Sequence, residues 1–159
     1  MSNVSPIPEG FRTVTPHLII KGASDAIEFY KKAFGAEETM RMTGPGNSIM
    51  HAELKIGNSM VMIADEWPEN GNLFAPASLD NKTTFAMALY VEDVDAAFAR
   101  AVEAGATVVY PVEDAFWGDR YGKVVDAWGH TWELMCHIED VSVEECQRRA
   151  AEIFGAQQS

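Results

Sequence analysis

Residues 51–67, HAELKIGNSMVMIADEW, decide how this chain folds. Gly57-Asn58 is a tight-turn signal between two alternating runs, so the stretch reads as a β-hairpin. A turn there sets residue 56 opposite 59, 54 opposite 61 and 52 opposite 63. Side chains alternate faces along a strand. Ala52, Leu54, Ile56, Val61 and Ile63 share one face, which is apolar and asks for a core. His51, Glu53, Lys55, Met60, Met62 and Ala64 share the other. Open solvent suits the lysine and the acid but not the two methionines. A lined cavity suits the whole set.

Outward from the hairpin, three helices are predicted. In SDAIEFYKKAFGAEE, Ser24 is the expected N-cap, Ala26, Ile27, Tyr30, Ala33 and Phe34 form the apolar stripe, and Gly35 ends the helix. In DVDAAFARAVEAGAT, Asp93 caps, Val94, Ala97, Phe98, Ala101 and Val102 form the stripe, and Gly105 ends it. In SVEECQRRAAEIFG, Ser142 and Glu145 have capping-box spacing. The stripe of this last helix, Val143, Cys146, Ala150, Ile153 and Phe154, predicts docking on the body or on a second subunit.

The first two helices share a frame. Asp25-Ala26 matches Asp95-Ala96, and Gly35-Ala36 matches Gly105-Ala106, at one offset of about 70 residues. TPHLIIK and FAMALYV precede them as strands. SIMHAELKI and SMVMIAD follow the first; TVVYPVE, YGKVVDAW and HTWELMCH follow the second. Each half therefore reads β-α-β-β-β. Helices bury one face of such a sheet; the other face curls, and two concave faces can enclose a pocket. The predicted division is an N-terminal arm (1–12), a first module (13–67), a Pro/Gly/Asn-rich linker or cavity-edge loop (68–83), a second module (84–139), and a C-terminal helix and tail (140–159).

Composition narrows the function classes. The chain has 159 residues, 47% of them hydrophobic, which suits one compact domain or two small modules sharing a core. Its net charge of −12, with no Lys/Arg stripe, argues against nucleic acid or an anionic membrane as partner. No apolar run is long enough for a membrane span. MSNVSPIPEG lacks the regions of a signal peptide, and Cys136 and Cys146 have no metal or redox spacing. Together these predict free thiols and a cytoplasmic protein.

The repeated unit resembles the vicinal oxygen chelate superfamily of glyoxalase I, extradiol dioxygenases, fosfomycin-resistance enzymes and bleomycin-binding proteins, and its PhnB-like branch in particular. AIEFYKKAFGAE, MHAELKIGNSMVMIADEWPE, LYVEDVDAAFARAVEAGATVVYPVEDAFWGDRYGKVVDAWGHTWEL and HIEDVSVEE carry the likeness, FWGDRYG and GHTWEL most specifically. The resemblance implies an α+β fold, two βαβββ modules forming a curled mixed sheet around a cavity, and a homodimer. It also implies, for the metal-using enzymes, one divalent ion held by a His/Glu set. Carried over singly, the ligand of the last strand of module two falls on Glu133. That of module one falls on Met62, whose thioether suits soft metals rather than Mg²⁺ or Mn²⁺. The first-strand position of module two falls on Ala86. That of module one falls near Thr15 or Pro16, one or two places from His17.

If Glu133 faces the cavity, so do Met135 and His137, while Trp132, Leu134 and Cys136 pack under the helix. His17, His51 and Glu53 add to the concave face. Glu133, His17 and His51 form a candidate ligand set, with Glu133 and His51 as candidate catalytic groups for Lewis-acid chemistry. The competing expectation is a cavity whose few polar groups orient an organic ligand by hydrogen bonds. In AFWGDRYGK, one expectation is that Trp117 stacks on a planar ligand and Arg120 clamps a carboxylate or phosphate; the equal alternative is an Asp119–Arg120 pair pinning the loop, with Trp117 plugging the core. Tyr90 shares cavity parity with Ala86 and Ala88. Met40, Met42, Met50, Met60, Met62 and Met135 fit an adaptable pocket, with core packing the expectation for Met40 and Met50. Trp67 and Trp128 are expected to cover the cavity ends or a dimer contact. The favoured function is a small-molecule binder that recognises or sequesters an organic ligand, lined by His17, His51, Glu53, Met62, Tyr90, Trp117, Arg120 and Glu133. The alternative is a divalent-metal-dependent lyase, isomerase or dioxygenase with a non-standard His/Glu site.

Overall fold

The hairpin forms in the register that its turn dictates: Ala52 opposite Ile63, Leu54 opposite Val61 and Ile56 opposite Ser59. The structure, a computed structural model, describes residues 4–67, 69 and 71–155. The elements run β1 (His17–Ile20), α1 (Ala23–Phe34), β2 (Glu37–Thr43), β3 (Ile49–Ile56), β4 (Ser59–Asp65), β5 (Ala86–Tyr90), α2 (Val94–Ala104), β6 (Thr107–Asp114), β7 (Asp119–Val125), β8 (Thr131–His137) and α3 (Val143–Gly155). Two four-stranded mixed sheets result, ordered β1-β4-β3-β2 and β5-β8-β7-β6. In each, the first and last strands of the module pair in parallel and the rest are antiparallel. This is the α+β architecture of two βαβββ modules with a C-terminal helix. β2, EETMRMT, is the strand for which the sequence offered no residues. It is exposed along almost its whole length, so no buried stripe marks it.

The helices meet their predicted ends with one exception. Asp93 caps α2 by accepting a hydrogen bond from the Ala96 amide at 2.9 Å. Ser142 Oγ accepts from the Glu145 amide at 3.2 Å. At α1, Ser24 is not the cap. The helix starts at Ala23, behind Gly22 in the left-handed region at φ 88°. The Asp65 carboxylate, at the end of β4, accepts from the Gly22 and Ala23 amides at 3.0 and 2.9 Å. Its other oxygen accepts from the Ile49 amide at 2.7 Å. A carboxylate brought by another strand thus does the work of a local cap, and its charge suits the helix N-terminus.

The apolar faces of both modules share one core. Ala52, Leu54, Val61 and Ile63 are buried together with Trp132, Leu134 and Val124 of the second sheet. Tyr30 and Phe34 of α1 lie 5.0 and 4.4 Å from the Trp132 ring. The buried Asp126 locks this seam. It accepts from Tyr30 Oη at 2.7 Å, from Trp132 Nε1 at 2.9 Å, and from the Trp128 and His130 amides at 2.9 Å each. Trp128 packs against Phe29 and Tyr30, so it serves this seam rather than a cavity end. Because this core takes one face of each sheet, the other face of each is left to define the site.

A short 3₁₀ turn at Pro76–Ser78 follows Ala75, which is buried against Ile19 and Ala64. Glu66 fastens it, accepting from the Ala75 amide and from Ser78 Oγ at 2.8 Å. The turn is thereby held against Ile19 and Ala64 of module one.

Candidate functional site

On module one, strand register builds the face in rows. His17 of β1 lies beside Met62 of β4, Met62 beside Glu53 of β3, and Glu53 beside Met40 of β2. His51 sits one row further on, beside Met42. The His17 and His51 rings meet edge to face with centroids 6.0 Å apart. His51 Nε2 is 3.4 Å from Glu53 Oε1, a long contact. Burial, and then the repulsion of His51, hold the His17 imidazole below its ordinary pKa. Met40 and Met50, expected in the core, are 39% and 46% exposed. Met60 and Met135 are the nearly covered methionines instead.

On module two, three polar side chains close on one another. Tyr121 Oη donates to Glu133 Oε1 at 2.9 Å, and Lys123 Nζ lies 3.0 Å from the same oxygen. The Glu133 bond, followed by that to Tyr121, raises the Lys123 pKa, so the ammonium stays charged. Burial, with Glu133 adding to it, raises the Tyr121 phenol against the opposing pull of Lys123.

The next polar group belongs to Asp119, which is buried. Its Oδ2 accepts from Tyr90 Oη and Trp117 Nε1, each at 3.0 Å, and its Oδ1 lies 2.8 Å from His137 Nδ1. Burial alone would raise its pKa; the bonds from His137, Tyr90 and Trp117 outweigh that and lower it. His137 also meets Asp140 at 3.0 Å, and Asp140 then Asp119 raise its pKa. Gly118 makes this corner possible. Its carbonyl accepts from the Ile138 and Glu139 amides, and at φ +99° an added Cβ would stand 2.1 Å from Glu139 O.

Arg120 occupies the opposite face of β7. Its guanidinium pairs with both carboxylate oxygens of Asp95 at 2.7 and 2.8 Å, and with Asp114 at 2.8 Å. It ties β7 to the first turn of α2 rather than pairing with Asp119. Strand alternation carries the signal for this. In DRYGKVV, Asp119, Tyr121 and Lys123 share one face and Arg120 takes the other. The same alternation points to Lys123 and Tyr121, which sequence reasoning passed over as partners of Glu133. Trp117 is 38% exposed and packs edge to face on Phe116 and Tyr121.

The donor chemistry does not suit a hard divalent ion within one chain. Glu133 has an ammonium where a cation would approach. Met62 offers a thioether, and Ala86 offers nothing. Among the described residues, no group of three or more His, Cys, Asp or Glu side chains is placed to hold a metal.

Cavities open on the surface formed by the described residues, and two of them bear on the site. One, of about 730 Å³, runs between the modules along β5, with Tyr90 at its wall. The other, of about 460 Å³, lies between the β6–β7 hairpin and the end of α3, with Trp117 and Tyr121 in its lining. Among the described residues, no helix is long and apolar enough to cross a membrane.

Known proteins share this architecture. The sequence signature of the Glyoxalase/Bleomycin resistance protein/Dioxygenase superfamily matches residues 13–134. An uncharacterized protein of Mycobacterium tuberculosis is 45% identical over 136 residues, spanning 84% of this chain and 79% of the other. A solved gene product of Arabidopsis thaliana is 31% identical, covers 78% of this chain and 98% of its own, and superposes with a TM-score of 0.63. A PhnB protein from Bacillus cereus shares the fold at 18% identity and a TM-score of 0.60, covering 79% of this chain and 99% of its own.

Proposed function

The chain belongs to the Glyoxalase/Bleomycin resistance protein/Dioxygenase superfamily, and from that premise we propose that it is a PhnB-like small-molecule-binding protein that recognises or sequesters an organic ligand on its concave faces. The observation that carries this reading is the internal pairing of Glu133 with Lys123 and Tyr121. The carboxylate at the superfamily's ligand position spends its charge on a neighbouring ammonium. What remains on the two faces is a set of imidazoles, thioethers, phenols, one indole and the Glu53 carboxylate beside His51, groups that orient an organic ligand in a mainly apolar site. His17, His51, Glu53 and Met62 line it from module one, and Tyr90, Trp117 and Glu133 from module two. Arg120 acts at one remove, by holding β7 on α2. The working form is a homodimer in the cytoplasm.

A divalent-metal lyase, isomerase or dioxygenase is the second reading, and the adjacent His17 and His51 rings are the observation in its favour. Metal content by mass spectrometry separates the two. Untagged protein is loaded with Zn²⁺, Ni²⁺, Mn²⁺ or Fe²⁺, beside a Glu133→Ala variant. The binder reading expects no tightly held ion under any loading. About one ion per chain in the wild type, lost in the variant, overturns it in favour of the enzyme.

A further inference from the structure

The 730 Å³ cavity between the modules differs in charge from the rest of the molecule. The chain carries 24 acidic residues against 12 Lys and Arg, yet no Asp or Glu lines this cavity. Two arginines do, Arg12 on the N-terminal arm and Arg100 on α2. The other four arginines, Arg41, Arg120, Arg148 and Arg149, all sit in carboxylate ion pairs. Among the described residues, Arg12 and Arg100 have no carboxylate partner. Their hydrogen bonds go to the backbone carbonyls of Phe11 and Ala33, and a guanidinium carries five donors.

Most of the wall is apolar, with Thr15, Asn58 and Ser59 among the lining residues. Phe34, Met60 and Val61 supply one side, and Met87, Leu89 and Leu134 the other. β5 adds a further element. Among the described residues it pairs only with β8, and the Val91 amide next to its end bonds Met135 O. Amides alternate sides along a strand, so those of Ala88 and Tyr90 look away from β8, and both residues line the cavity. The site therefore combines an apolar slot, two guanidinium groups without carboxylates and an unpaired strand edge. The second cavity is its opposite, with Tyr110, Trp117, Tyr121 and Phe154 beside Glu113 and Asp114.

We propose that the inter-module cavity binds an amphipathic organic anion, a carboxylate with an apolar body, whose head is held by Arg12 and Arg100 and whose body lies along β5. A carboxylate is the acceptor that a guanidinium fork matches bidentately. The volume is that of a site for a drug-sized molecule. This site shares Tyr90 with the concave face of module two but holds none of His17, His51, Glu53, Met62, Trp117 or Glu133, and the overall negative charge of the chain works against any non-specific uptake of anions.

Calorimetric titration of the full chain with octanoate, 1-octanol and octylammonium tests it. Octanoate is expected to bind saturably at one site per chain, with octanol and octylammonium weaker by roughly tenfold or more. The double variant Arg12→Gln/Arg100→Gln is expected to lose that preference for octanoate while melting at an unchanged temperature. Leu89→Trp, which fills the slot, is expected to abolish binding of all three. Glu133→Gln and His51→Ala are expected to leave octanoate binding intact. Equal affinity for octanoate and octanol, no octanoate binding, or binding that survives the arginine changes but falls with His51→Ala overturns the proposal. Only the last result would place the ligand on the concave face instead.

Discussion

His17 and His137 sit on the two concave faces of one chain, and their surroundings move their pKa values in opposite directions. His17 meets another imidazole and is partly desolvated, and its pKa falls. His137 stands between two carboxylates, and its pKa rises. The contrast extends to the whole faces. Module two pairs its polar groups with each other: Glu133 with Lys123 and Tyr121, Asp119 with Tyr90, Trp117 and His137. Module one leaves His17, His51 and Met62 with only loose contacts. A duplicated unit thus keeps its backbone plan while one copy becomes a rigid polar frame and the other an adaptable thioether and imidazole surface.

The largest expected effect comes from breaking the frame. Asp119→Ala removes a buried acceptor from three donors, and chemical denaturation should show a loss of roughly 1–3 kcal/mol. The same change should release Trp117, read as a red shift of tryptophan emission. A loss no greater than that of a surface substitution would mean that the two faces do not differ in rigidity.

The histidines give the second test. For His17, folding disfavours the proton. Between its lowered folded value and the ordinary 6.5, its contribution to stability increases with rising pH. For His137, folding favours the proton. Its contribution is complete below the unfolded value of 6.5 and is lost as pH rises through the raised folded value. Imidazole resonances followed by NMR should therefore place His17 below 6.5 and His137 above it. Asp140→Asn should bring His137 down, and His51→Ala should bring His17 part of the way up. Two histidines titrating together would erase the contrast.

The smallest effect is expected on the adaptable face. His51→Ala removes a long contact to Glu53 and one edge-to-face ring, so its cost should be about 0.5 kcal/mol or less by denaturation. A cost comparable to that of Asp119→Ala would make module one a frame as well.

Much of the plan was legible in the chain. The Gly57-Asn58 turn, the alternation on either side of it and the matched helix frames set the hairpin register, the buried face and the two-module repeat. These are local signals, since turn geometry and a period of two act over a few residues. The placement of His51, Glu53 and Met62 on one face followed from the same alternation, while His17 is set beside Met62 by the parallel pairing of β1 with β4. What only the tertiary structure decided involves partners far apart in sequence. Asp65 reaches back to cap α1, where Ser24 is the nearer candidate. Asp126 joins Tyr30 to Trp132 across the module seam. Arg120 turns to Asp95, and Lys123 to Glu133. Each choice depends on which charged or polar groups the packed sheets bring within hydrogen-bond distance. No local pattern encodes that distance, so the sequence by itself determined the faces and the folded chain determined their partners.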